Sequence, residues 1–278
     1  MSRRAGIIWR FFLIILIFPG VAIGAEAQKA FNEGVKFYKA GKFKEAVAAF
    51  NRAVKAEPKS DEAYNNRGLA YFKLGQIDIA IKDYDEAIKL NPKSTDALFN
   101  RGNALIAQKH YDRAVKDFDE VIKNDPSTAR AYRQRGLAHN ALKQFDKAVG
   151  DFNQAQKSEA KDAEVYYQRG LAYRRLGKND LAVQDFGSAI KLEPKNAESY
   201  NNRANAYSLL GKYEDAVKDY DEAIKLDGKN AKVYANRGVI RARLGKHDDA
   251  QKDFKKAIEL DAGLKDMIEP LIMPTKGK

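Results

Sequence analysis

The feature that most limits what this chain can become is a period of 34 residues. Gly recurs at that step as Gly34, Gly68, Gly102, Gly136, Gly170 and Gly238, with Ala204 in the remaining place. An Ala keeps the same register at Ala46, Ala80, Ala114, Ala148, Ala182, Ala216 and Ala250. Four residues after each comes an aromatic: Phe50, Tyr84, Phe118, Phe152, Phe186, Tyr220 and Phe254. Three further on stand Ala53, Ala87, Val121, Ala155, Ala189, Ala223 and Ala257. A repeat of this length is one supersecondary unit that cannot cover its own apolar face and needs neighbours to do so.

Steps of four and three put the small, aromatic and small residues on one side of a helix. Tyr64, Gly68 and Tyr71 form a matching face on an earlier helix, and Lys73-Leu74-Gly75-Gln76 reads as the turn between the two. Each unit is then an antiparallel helix pair in which Gly or Ala lets the backbones approach and the aromatic fills the space beside the crossing. The expected fold class is all-α, a solenoid with a continuous core. Its units are 27–60, 61–94, 95–128, 129–162, 163–196, 197–230 and 231–264, and the apolar tail 265–278 is expected to supply a partial capping turn.

A second pattern is charged. Arg67, Arg101, Arg135, Arg169, Arg203 and Arg237 fill the seventh position of units two to seven, and Asp83, Asp117, Asp151, Asp185, Asp219 and Asp253 the twenty-third. The first unit has neither, carrying Glu33 and Ala49. Residues that are present together and absent together are expected to pair, within a unit or across to its neighbour.

The stretch Asp61-Glu62-Ala63-Tyr64-Asn65-Asn66-Arg67-Gly68-Leu69-Ala70-Tyr71-Phe72-Lys73-Leu74-Gly75, followed by Ala80, Tyr84, Ala87 and Pro92, resembles the tetratricopeptide repeat at nearly every signature position. Departures are local. Lys109 and Lys143 replace the usual turn Gly, and Ala160, Gly228 and Ala262 stand where Pro usually closes a unit. The resemblance implies a right-handed superhelix whose concave face is lined by the first helix of each pair. It also implies that a row of amides, Asn32, Asn66, Asn100, Gln134, Gln168, Asn202 and Asn236, faces that groove. A carboxamide carries both a donor and an acceptor, so this ladder is expected to bond both N–H and C=O of an extended peptide. Expected groove flanks are Asn65, Phe99, Asn103, Arg133, Tyr167, Arg174, Asn201 and Asn205, the aromatics and arginines serving as exposed anchor points. The family's clamp for chaperone tails is not reproduced, because position five offers no Lys and Leu137 stands where that clamp has Asn.

The chain begins differently. Arg3 and Arg4 precede a charge-free run from Phe11 to Ala25, ending in the small residues Ala22, Gly24 and Ala25. This is the layout of a secretory signal peptide over 1–25, and the run is short of the ~20 residues a spanning helix needs. The alternative is a retained anchor, the one circumstance in which a membrane would be a partner.

Cys is absent, so thiol catalysis, disulfides and Cys-ligated metals are excluded. His110, His139 and His247 lie in different units without a metal-ligand or triad spacing, and no phosphate-cradling loop is present. The expectation is no enzyme and no cofactor. The net charge of +12 favours acidic partners. The Arg-Gly pairs nevertheless sit inside helices rather than in a flexible tract, which argues against nucleic acid. The reading is an exported, periplasmic or secreted interaction scaffold or assembly factor that takes a protein or peptide ligand in its groove. Self-association through the ends is the alternative.

Overall fold

The computed structural model describes residues 24–159 and 161–272. The signal-peptide reading of 1–25, the end of the tail and Ala160 fall wholly or largely outside them. The described chain is helical throughout, and its long helices come in antiparallel pairs. The pairs are α1 (Ala25–Lys39) with α2 (Phe43–Ala56), α3 (Asp61–Lys73) with α4 (Ile77–Leu90), and α5 (Thr95–Ala107) with α6 (Tyr111–Asn124). They continue with α7 (Ala129–Ala141) and α8 (Phe145–Ser158), α9 (Ala163–Arg175) and α10 (Asn179–Leu192), α11 (Ala197–Leu209) and α12 (Tyr213–Leu226), and α13 (Ala231–Arg243) and α14 (His247–Leu260).

Local chemistry sets these boundaries. Ser60, Ser94, Asp162 and Asn196 cap the N-termini of α3, α5, α9 and α11 by accepting from backbone N–H groups of the first turn. Within a pair the chain reverses through a residue in the left-handed region. Gly41, Gly75, Gly177, Gly211 and Gly245 hold that place with φ from 72° to 76°, and Lys109 and Lys143 adopt the same conformation at 62° and 60°. The turn geometry therefore overrides the residue type, at a steric cost of about 1 kcal/mol for each lysine.

The Gly column has a sharper purpose than close backbone approach. A Cβ built on Gly102 would lie 2.7 Å from the Phe118 ring, and on Gly34, 2.6 Å from that of Phe50. Each glycine leaves the space into which the edge of the aromatic ring sixteen residues later packs, and those rings are almost wholly buried. Where position five is also aromatic, a second ring packs against the first: Phe31 on Phe50, Phe99 on Phe118 and Tyr167 on Phe186, with centroids 5.7–5.9 Å apart.

Odd helices touch the odd helix of the next pair, whereas no pair of even helices makes comparable contact. The array therefore curves with the odd helices on its inner side. At the far end two 3₁₀ turns, Ala262–Leu264 and Glu269–Leu271, flank the short α15 (Lys265–Ile268). Ile268 is fully buried there against Ala235, Phe254 and Ala257, with Leu264 and Ile272 packed alongside.

Candidate binding groove

Within each pair after the first, an ion pair ties the odd helix to the even one. Arg67, Arg101, Arg135, Arg169, Arg203 and Arg237 each bond the Asp sixteen residues on through two nitrogens, with closest contacts of 2.5–2.7 Å. The carboxylates are buried. Bonding to Asp83, Asp117 and Asp219 holds Arg67, Arg101 and Arg203 above the ordinary arginine range. Burial raises the carboxyls of Asp117 and Asp185 despite the pull of their arginines.

Five of these arginines also reach back sixteen residues into the preceding pair. Arg67 bonds Asn51, Arg101 Asp85, Arg135 Asp119, Arg169 Asn153 and Arg237 Asp221. This column of short polar residues was legible in the sequence and was not anticipated. Arg203 is the exception, because Gly187 stands where its partner would be. His139 adds a bond from Nδ1 to Asp151 at 2.9 Å, and Arg241 does the same for Asp253 at 2.9 Å. His139, Arg135, Asp151, Asp119 and Tyr132 line a hollow of about 600 Å³, and the charged groups in it are bonded to one another. No group of three or more His, Cys, Asp or Glu able to hold a metal occurs among the described residues.

The inner face is organised otherwise. The expected amide ladder lies on the odd helices, but its N–H groups are turned inward to the protein. Asn66 donates to the Glu62 carbonyl (2.8 Å), Asn100 to Asn65 (2.9 Å), Gln134 to Asn103 (2.6 Å) and Gln168 to Glu164 (2.8 Å). Asn202 donates to the Glu198 carbonyl and the Tyr167 hydroxyl, and Asn236 to Asn205. Asn32 is exposed and accepts from Gln28. The expectation that each amide offers both donor and acceptor to a ligand is therefore corrected. Partners one turn back, or on the preceding odd helix, are already in reach and cost no association. What is left over is a row of oxygens. Those of Asn66, Asn100, Asn202 and Asn236 accept no bond among the described residues.

Several flanks also sit differently. Phe99 is buried against Phe118 with the Arg130 guanidinium over its ring at 4.6 Å, so it is core and not an exposed anchor. Gln134, Asn65 and Asn103 are buried, the latter two as acceptors for the ladder. Arg133 is bonded to Asp162 at 2.7 Å. Tyr167, whose ring packs on Phe186, donates its hydroxyl to Glu198 at 3.2 Å, and burial pushes that phenol up. Asn205 accepts from Tyr220 at 2.7 Å.

Some buried polar atoms have no partner among the described residues. Five are on odd helices: Tyr38 Oη, Gln134 Oε1, Asn140 Oδ1, Arg174 Nε and Asn201 Oδ1. The sixth, Asn179 Oδ1, opens α10. Four of the five belong to α7, α9 and α11, the middle of the inner face.

A curved stack of helix pairs with a polar inner groove defines a repeat scaffold of the tetratricopeptide kind. Tetratricopeptide repeat models match residues 61–94, 197–230 and 231–263, a TPR repeat model matches 34–75 and 170–211, and a further tetratricopeptide repeat model matches 99–163. The chain belongs to the tetratricopeptide repeat family, a class of non-catalytic scaffolds that meet protein partners through a concave groove. No curated protein matches it. Solved structures share the fold. The C-terminal part of a TPR repeat-containing protein from Cytophaga hutchinsonii is 20% identical over 87% of this chain and all of that one (100%), with a TM-score of 0.71. A tetratricopeptide repeat protein from Parabacteroides merdae is 22% identical over 90% of this chain and 98% of its own, at 0.64. YrrB, described as a TPR protein with an unusual peptide-binding site, is 21% identical over 65% of this chain and 93% of its own, at 0.59.

Proposed function

We propose that the inner groove binds an extended segment of a partner protein and that the chain acts as an exported scaffold or assembly factor. The observation that carries this reading is the row of unbonded amide oxygens on the odd helices, those of Asn66, Asn100, Asn202 and Asn236. A strand-like peptide has one N–H per residue to offer such acceptors, and a preformed groove takes it at little ordering cost to the solenoid. YrrB's described peptide-binding site is consistent with this fold carrying one. The basic start and charge-free run of residues 1–25 support export. Helix α1 begins at Ala25 and Ala27 is only 1% exposed, so cleavage after Gly24 leaves the first pair whole. N-terminal sequencing of the periplasmic or secreted form should therefore begin at Ala25. A chain recovered from membranes with Met1 intact supports the anchored alternative.

The binding test is affinity capture from the parent cell's envelope fraction with the wild-type chain and with a variant carrying Asn66→Ala, Asn100→Ala, Asn202→Ala and Asn236→Ala. A partner held by the first and lost by the folded variant supports the groove; one retained equally by both defeats it. The second reading, end-to-end self-association, is favoured by Met267 and Leu271, which are 58% and 45% exposed at the free end. Sedimentation of wild type and of Met267→Lys/Leu271→Lys separates the two readings.

A further inference from the structure

Arg174 is the half-buried arginine that has no hydrogen bond or ion pair among the described residues. Its Nε is buried and unbonded. Burial, and then the adjacent charge of Arg175, lower its pKa, yet a guanidinium this far above neutrality stays charged. A desolvated, unpaired cation is costly, and the rest of the chain avoids it. Arg130 bonds Asp96, Arg133 bonds Asp162 and Arg169 bonds Asp185. The phenols of Tyr167 and Tyr220 lie close enough to bear on Arg174, and both are themselves bonded to groups on α11. Two further unpartnered atoms bracket it in the repeat register: Asn140 Oδ1, one unit earlier at the same position, and Asn201 Oδ1 on α11. Leu209, one unit after Arg175, is 62% exposed.

Resting on the groove reading above, we infer that Arg174 is the seat for an acidic side chain, Asp or Glu, in the middle of a bound polypeptide segment. The charge complement is a carboxylate because one planar guanidinium matches its two oxygens, and the neighbouring Arg175 is exposed to solvent rather than turned into the site. The carboxylate belongs to a side chain and not to a chain end, because accessible ladder oxygens able to accept ligand N–H groups, those of Asn100 on α5 and Asn202 on α11, lie on both sides of α9. The segment therefore runs past it in both directions. Asn100 and Asn202, whose side-chain oxygens are unbonded and not sealed from the groove, take backbone N–H groups of that segment, and Leu209 offers it an apolar contact.

The test uses the purified full-length chain and two libraries of random dodecapeptides. One is tethered through both ends, so that its only carboxylates are on side chains; the other ends in a free C-terminus. Wild type should enrich peptides from the tethered library with Asp or Glu at one fixed register. Arg174→Met should bind those peptides on the order of tenfold to a hundredfold more weakly, as expected for loss of a charge-assisted bond. Tethered peptides enriched without a fixed acid, or bound equally by Arg174→Met, overturn the seat and leave the groove standing. Acid-dependent enrichment confined to free C-termini overturns it as well. No enrichment from either library defeats the groove reading and the seat with it. Thermal melting adds a readout on the free protein: Arg174→Met should melt no lower than wild type, while Arg133→Met, which strips Asp162 of its partner, should melt lower. Equal losses in the two variants would make Arg174 a structural residue and overturn the proposal.

Discussion

Arg169 and Arg174 lie five residues apart on α9 and have opposite surroundings. The first bonds Asp185 in its own pair and Asn153 and Gln156 in the pair before. The second bonds nothing among the described residues. The seam between the helices of a pair repeats its donor and its acceptor with the same 34-residue step, so every guanidinium meets its carboxylate at the same offset. The inner face has a repeating row too, but it has no further layer of protein to bond to. Its polar atoms are satisfied by neighbours where a neighbour is in reach, and several others stay unbonded. Polar groups that hold this solenoid together are paired, and under the groove reading proposed above the accessible unpaired ones are where it meets a partner.

The comparison breaks most visibly if one member of a seam pair is removed. Arg169→Ala leaves the Asp185 carboxylate buried without its counter-ion, and we expect a loss of about 3 kcal/mol in urea unfolding of the full chain. Arg52→Ala is the control, since its pair with Glu33 is 59% and 42% exposed. Its loss should be under about 0.5 kcal/mol. Equal effects would mean that burial does not set the worth of the seam.

The glycine column comes next. Gly102→Ala would drive a methyl into the Phe118 ring, and we expect a loss of about 2 kcal/mol by the same measurement. The sixth pair already carries Ala204 and accommodates it with Tyr220, whose hydroxyl is anchored on Asn205. If Gly102→Ala is neutral, the ring has the same freedom elsewhere and the column is kept by something other than contact with the aromatic.

How much of this was readable beforehand divides along the same line. The helix pairs, the turns and the Arg–Asp pairing follow from residues that recur with the chain's own period, so one sequence contains many copies of the signal. The back-bonding column Asn51, Asp85, Asp119, Asn153 and Asp221 was present in the same way and simply overlooked. The inner face was harder. Its register was legible, but the direction of each amide depends on which neighbour lies one turn back or one helix across, and that is a matter of rotamers. Phe99 illustrates the limit. Its position reads as groove, yet the ring lies on Phe118, as Phe31 does on Phe50 and Tyr167 on Phe186. The sequence does hold a hint: where the twenty-fourth residue is Tyr, as in Tyr84 and Tyr220, the fifth is Asn (Asn65 and Asn201) and no second ring is stacked.

Gly187 offers a way to sharpen the comparison by addition. It stands where the other seams carry the Asn or Asp that the next arginine reaches, and a Cβ there would be 3.5 Å from Arg203 Nη1, an ordinary contact. Gly187→Asp should therefore supply the missing link and remove a glycine from the interior of α10, raising stability by about 1 kcal/mol. Gly187→Ala separates the two contributions, since it gives the helix benefit without the link. If both variants stabilise equally, the back-bond adds nothing measurable and the seam rests on the buried Asp alone.

The smallest effect should have the opposite sign. Asn201 has a buried side-chain oxygen with no partner, so in the free protein it carries a desolvation cost with no bond to offset it. Asn201→Leu should leave the unfolding free energy unchanged or raise it by up to about 1 kcal/mol, unlike any removal of a paired polar group from the seam. The same variant should leave binding of the peptides selected on the wild-type chain unchanged, because the Asn201 oxygen is sealed from the groove. A clear loss of stability instead would mean that Asn201 has an internal role, and the inner face would then have to be read as the seam is.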